Sequence, residues 1–182
     1  MTLRDGMIPL IARLRSMTNA DPNVFSDEAL QAKLDETQQR YYRVPLIACP
    51  NYADGALLYR DFAIPAELGR ALEEGEAFVI RTSNGTLIDP SAYSYHAEAV
   101  RVRFVEDVGP ANLYLDCAAY DLHRAASRVW AEKAALAAAD VDWRADNHAF
   151  ALSDTFEHCM QMAGLHARLA GPIITKWLRE DG

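Results

Sequence analysis

Lysine is scarce in this chain. Lys33, Lys133 and Lys176 are its only lysines, and arginine carries the remaining positive charge. Arginine is favoured where a planar guanidinium fork pairs across an interface, and a skewed codon composition would give the same bias, so both readings stand. Positive charge is short overall. A formal net charge of -8 removes any general attraction to phosphate backbones, and with it nucleic-acid readout. Cysteine is sparse too: Cys49, Cys117 and Cys159 make no CxxC spacing, and an odd number reads as buried thiols in a reducing compartment without a disulfide framework. No apolar run approaches the roughly 20 residues that a membrane-crossing helix needs, and the N-terminus does not read as a signal peptide. Gly55, Gly85 and Gly109 each stand alone beside turn residues, which gives no glycine-rich phosphate cradle. Neither a nucleotide nor any other cofactor is expected.

What is present is enough apolar residue, 51% over 182 positions, to bury one core, so a single domain over residues 1–182 is expected. Residues 3–17 place Leu10, Ile11, Leu14 and Met17 on one stripe, and Pro9 puts the start of the regular helix near Met7 or Ile8. Ser26 reads as the N-cap of a second helix over 26–43, with Asp27 and Glu28 in its first turn and Leu30, Leu34 and Tyr41 turned inward. Phe25 and Leu30 form a hydrophobic staple around that cap. Between 44 and 115 the period shortens to two. Segments such as AFVIRTS, AVRVRFVED and NLYLD, separated by DG, NG and GP, read as strands of one small antiparallel sheet. VRVRFV alternates, so Val100, Val102 and Phe104 should face away from Arg101 and Arg103. A short helix is expected over 66–73.

The helical period returns for a long helix over 117–139, striped by Leu122, Ala125, Val129 and Leu136, and for another over 153–170, striped by Phe156, Met160 and Ala163. Their many alanines allow close approach as an antiparallel pair. The joint between them is VDWRADNHAFALSDTFEHCMQ. In it Asp140, Asp142 and Asp146 solvate a turn, Trp143 and Phe150 anchor it, and Ser153 caps the next helix. The fold class is therefore α+β: mainly an α-helical bundle, a small antiparallel β-sheet inserted between helix two and helix three, and a projecting C-terminal tail over 171–182.

No catalytic or metal-binding residue emerges. Glu157, His158 and Cys159 hold the groups of a thiol protease, yet consecutive helical residues point about 100° apart and cannot converge on one substrate. His158 and His166 are eight apart, which is poor spacing for a zinc pair. Each cysteine remains a nucleophile only if a distant histidine approaches it. Cys117 is the one to watch, because a helix N-terminus lowers a thiol pKa.

The segment AYDLHRAASRVWAEKAALAAADVDWRADNHAFALSDTFEHCMQMAGLHARLA, with MIPLIARLRSMTNADPNVFSDEALQAKLD at the other end, resembles the head-to-tail adaptor (connector) proteins of tailed bacteriophages and gene-transfer particles. The matching features are a Tyr-Asp opening an Ala-rich helix, an acidic turn with tryptophan, an F-x-x-S element and the F-S-D-E entry to helix two. The resemblance implies a virion structural protein and no enzyme: a ring, commonly of twelve copies, in the virion neck, assembled in the host cytoplasm. Its partners would be the portal protein and a tail-side neck or stopper protein, with DNA passing through the lumen unbound and no membrane contact. Ile173, Ile174, Trp177 and Leu178 become the expected portal contacts. The net acidity fits DNA sliding through such a ring, and it fits a solvated surface equally well. A cytoplasmic protein-binding module, reading a peptide along a strand edge, and a cysteine-dependent enzyme are the competing readings.

Overall fold

The computed structural model describes residues 2–53, 55–68, 71–143 and 149–171. A 3-10 turn at Asp5–Met7 leads into α1 (Ile8–Thr18), with Pro9 in the first turn, where its missing N–H costs nothing. Leu10, Ile11 and Leu14 are buried, and Asn19 closes the helix in the left-handed conformation (φ 47°). Gly6 is held against the chain at Glu74: a Cβ at Gly6 would stand 2.0 Å from the Glu74 carbonyl oxygen, so only glycine fits.

α2 (Asp27–Asp35) starts as the sequence indicates. The Ser26 side chain accepts from the Ala29 N–H at 3.3 Å, and Phe25 and Leu30 are both buried. It then stops early. Residues expected to continue the helix to 43 form β1 (Gln39–Pro45), so Tyr41 packs from a strand. YYRV is aromatic and β-branched, and these side chains pack well on a pleated surface, which outweighs the helical spacing of Leu30, Leu34 and Tyr41.

Eight further strands follow: β2 (Ile47–Ala48), β3 (Asn51–Ala53), β4 (Ala56–Leu58), β5 (Asp61–Ala63), β6 (Val79–Thr82), β7 (Tyr93–His96), β8 (Arg101–Phe104) and β9 (Leu113–Ala119). They pair antiparallel as a three-stranded sheet β1-β9-β6, a four-stranded sheet β2-β5-β8-β7 and a hairpin β3-β4. The helix expected over 66–73 is described as a 3-10 turn at Ala66–Leu68 and a bridge from Leu72 to Ala119.

The expectation of a mainly helical bundle with one small sheet is therefore overturned. Among the described residues there are four α-helices and three sheets, one of them four-stranded, which makes this a mixed α+β protein. The helix placed over 117–139 is wrong at its start, because Cys117 lies on β9, the central strand of its sheet. LYLDCAA alternates buried and half-buried positions from Leu113 to Cys117, but Cys117, Ala118 and Ala119 are all buried, so the end of the strand has none of the polar alternation that marks a half-wet strand.

Both larger sheets bury side chains in one apolar core that holds Phe62, Val102 and Phe104 from the four-stranded sheet and Ile80, Leu115 and Cys117 from the three-stranded one. Phe62 and Phe104 meet edge to face at 5.5 Å, and Phe78 lies 4.9 Å from Tyr95. Each fully buried side chain of this kind contributes about 1.5–3 kcal/mol. The alternation expected of VRVRFV is present: Val102 and Phe104 are buried, while Arg101 and Arg103 are exposed.

Two compact units divide the chain, Met1–Leu122 and His123–Gly182. The second is built on α3 (Leu122–Trp143) and α4 (Ala149–Leu169). They run antiparallel, with Ser127 Oγ donating to the Ala163 carbonyl at 2.9 Å and Trp130, Ala134, Cys159 and Ala163 packed between them. α4 begins four residues before Ser153, so Ser153 lies inside the helix and is not its cap. The expected stripe is displaced as well: Phe156 and Met160 are exposed, and the buried line runs through Cys159, Ala163 and His166. Leu136 is likewise exposed. The side chains of Asp140, Asp142, Trp143, Asp146 and Phe150, and the whole of 172–182, lie outside the described residues.

Candidate functional site

The fold does not arm Cys117. Its side chain sits among Ile80, Leu115 and Phe78 in the sheet core, and burial, with a smaller push from Asp116, drives the thiol up to about 12. A thiol of that kind stays protonated and is a poor nucleophile. The helix N-terminus that would have lowered its pKa is absent, since α3 starts five residues later. Cys159 is 3% exposed between the two helices. Its neighbour His158 is exposed and meets the Trp130 ring edge-on at 5.7 Å. Cys49 Sγ lies 3.6 Å from the Ile47 carbonyl.

Two open clefts lie in the first unit. The larger, about 640 Å³, is bordered by Arg4, Asp35, Glu73, Arg81 and Asp116. Arg40 and Glu76 line it too, and the other five charges answer one another. Arg4 pairs with Asp35 through both guanidinium Nη atoms and donates from Nε to Glu73 at 2.7 Å. Glu73 is 4% exposed, and its other oxygen accepts from the Tyr120 hydroxyl, which in turn accepts from Gln38 Nε2 at 2.9 Å. Burial, and the Glu73 carboxylate, hold the Tyr120 hydroxyl well above its ordinary pKa, while the bond to Asp35 raises that of Arg4. Asp116 sits on β9 and ties both neighbours: it accepts from the Arg43 backbone N–H at 2.7 Å and from Arg81 Nε at 2.7 Å. Arg43 adopts φ 53° at a bulge in β1, which turns that N–H toward Asp116. The network joins the N-terminal segment, α2 and the sheet; its groups are committed to each other.

The smaller cleft, about 410 Å³, is bordered by Asn51, Asp61, His96, Glu98 and Arg103. Asp61 is held by Arg103 Nε at 3.1 Å and by Asn51 Nδ2 at 3.1 Å, and His96 Nε2 lies 3.1 Å from Ser94 Oγ. Among the described residues no group of three or more His, Cys, Asp or Glu is placed to hold a metal ion, and no helix is long and apolar enough to cross a membrane.

The apolar surface is the feature the sequence reading missed. Tyr52 (76% exposed), Leu57 and Ile47 stand on the hairpin and the edge strand of the first unit. On the helical unit Leu136, Phe156, Met160, Leu165 and Leu169 are exposed, the last at 54%. On α4 they flank both sides of the buried line, with Phe156 and Met160 on one side and Leu165 and Leu169 on the other. The signal for this was legible: α4 carries more apolar residues than one stripe can hide. The four residues singled out from the sequence, Ile173, Ile174, Trp177 and Leu178, lie outside the described residues. Comparison with protein-family models, with curated proteins and with solved structures finds no match to this chain.

Proposed function

We propose that this protein is a structural component of a virion neck, a head-to-tail adaptor that joins copies of itself into a ring between portal and tail-side neck proteins. The observation that carries the reading is the apolar surplus on the helical unit, where Leu136, Phe156, Met160, Leu165 and Leu169 remain exposed. Exposed apolar side chains along a helix pair favour association, because burying them in a neighbour removes them from water. The unit that carries them is also the segment that resembles the adaptors. Two further observations favour assembly over catalysis: Arg4, Asp35, Glu73, Arg81 and Asp116 in the larger cleft are paired with one another, and the Cys117 thiol is held protonated.

The test is mass measurement and negative-stain imaging of the full chain, alone and mixed with a tailed-phage portal protein. A ring, or a portal with bound copies, supports the proposal. A molecule that stays monomeric at high concentration and ignores the portal overturns it. That second outcome favours the protein-binding module, for which the edge strand β7 and the exposed two-residue edge strand β2 offer unpaired backbone.

A further inference from the structure

His123, in the first turn of α3, and His166, in the last turn of α4, meet through their Nδ1 atoms at 2.9 Å. Their ring centres are 5.2 Å apart and the planes are inclined by 29°. The excess of the centre distance over the nitrogen distance is accounted for by one ring radius at each end. The two nitrogens therefore lie on the line joining the rings and are aimed at each other. Such a pair is satisfied only when one nitrogen carries a hydrogen and the other offers its lone pair. The same head-on arrangement leaves no third point on which both lone pairs converge, so it suits a shared proton and not a chelated metal.

We propose that His123 and His166 form a proton-sharing clamp that fastens the start of α3 to the end of α4 near neutral pH and lets go when the pair takes up a second proton. With both imidazoles protonated, two N–H groups and two positive charges face each other across a hydrogen-bond distance. His166 is 7% exposed, and burial first, then the charge of His123, holds its pKa below the ordinary histidine value. The charged side chains nearest the pair along the chain are Asp121 and Arg124 beside His123 and Arg168 beside His166. Both arginines are turned to backbone carbonyls: Arg124 donates to Gly171 at 2.5 Å and Arg168 to Gly164 at 3.3 Å. Desolvation and His123 are what act on His166, and both oppose its protonation.

One turn farther along, the helices are held by the bond from Ser127 to Ala163, and beyond it by the contact of Trp130 with His158 and Cys159. A second proton thus opens one end of the pair and leaves the rest closed. The end that opens includes Gly171, the point at which the chain leaves α4. The sign follows from linkage. With the folded pKa of His166 below its unfolded value of 6.5, the unfolded chain takes the proton first, so the clamp's contribution is complete above that pH and is lost as the pH falls from there through the lower folded value.

Nitrogen-15 NMR of the imidazoles in the full-length wild-type chain, from pH 8 to 5, tests this directly. The pair should titrate in two steps more than about one unit apart, with one Nδ1 protonated and one bare at neutral pH. Amide-exchange protection at residues 166–171 should fall with the second step, and the melting temperature with it. In His123→Asn, which keeps a hydrogen-bonding side chain but cannot take the second proton, at least half of the acid-induced loss should disappear, whereas His158→Gln should retain it. Two imidazoles that titrate together at ordinary values, or an acid loss unchanged in His123→Asn, overturns the clamp. Should His123→Asn fail to fold, the wild-type titration decides alone.

Discussion

The two units of this chain solve the burial problem differently. Met1–Leu122 folds sheets around Phe62, Ile80, Val102 and Leu115, all at 0% exposure, and closes its buried carboxylates onto arginines and a tyrosine. His123–Gly182 has two long helices and, between them, a narrow seam of Trp130, Ala134, Cys159 and Ala163. A helix pair can hide only one stripe per helix, and α4 carries apolar residues on both sides of its own. The first unit has a large core and still exposes Tyr42, Ile47, Tyr52 and Val105 among others, whereas the second has a thin seam and, among the described residues, exposes five large apolar side chains along its two helices. Core residues there set stability, and on the proposed reading surface residues here set association, a division that mutation can separate.

The sharpest way to break the comparison is Phe62→Ala, which opens a cavity in the shared core and should cost about 3–5 kcal/mol in urea unfolding. A loss under about 1 kcal/mol would mean that this core is not what holds the first unit. Glu73→Ala should come next, at about 1–3 kcal/mol, since it leaves the Arg4 guanidinium and the Tyr120 hydroxyl short of an acceptor. The same denaturation curve reads it, and a neutral result would show that water replaces the carboxylate freely. Ser26→Ala removes the cap of α2, with an expected cost of about 1 kcal/mol and no change in the association state. The smallest stability effect belongs to Phe156→Ser with Met160→Ser, each within about 0.5 kcal/mol of wild type, because both side chains already stand in water. Their effect should appear in assembly instead, as loss of rings or of portal binding by sedimentation. A pair that unfolds the protein and leaves assembly intact would invert the comparison.

Local signals read directly from the sequence held where nothing competed with them. Ser26 caps α2, Pro9 sits at the head of α1, and Val102 and Phe104 alternate with arginines on β8. The failures fall where tertiary pairing decides. Tyr41 fits a helical stripe with Leu30 and Leu34, but the strand partner that claims it lies at Cys117, far along the chain. Cys117 and Ala118 look like the start of an alanine-rich helix because the last three residues of this central strand are all buried and show no alternation. Ser153 resembles a cap because serine followed by aspartate is one, yet α4 already runs through it. The His123–His166 contact was invisible for a related reason. Forty-three residues separate the two rings, and it takes the antiparallel register of α3 and α4 to bring them together.

Strand β9 pairs on one side with β1 and on the other with β6, so the middle of its sheet is the last part to be made. A ribosome that has released residues 39–45 must still add the stretch through Ala119 before either flank has a partner. Until then Tyr41, Val44 and Ile80 have no surface to settle on, and the nascent chain carries them uncovered. Long-range pairing of this kind slows folding, so closure of the three-stranded sheet should set the pace for the first unit.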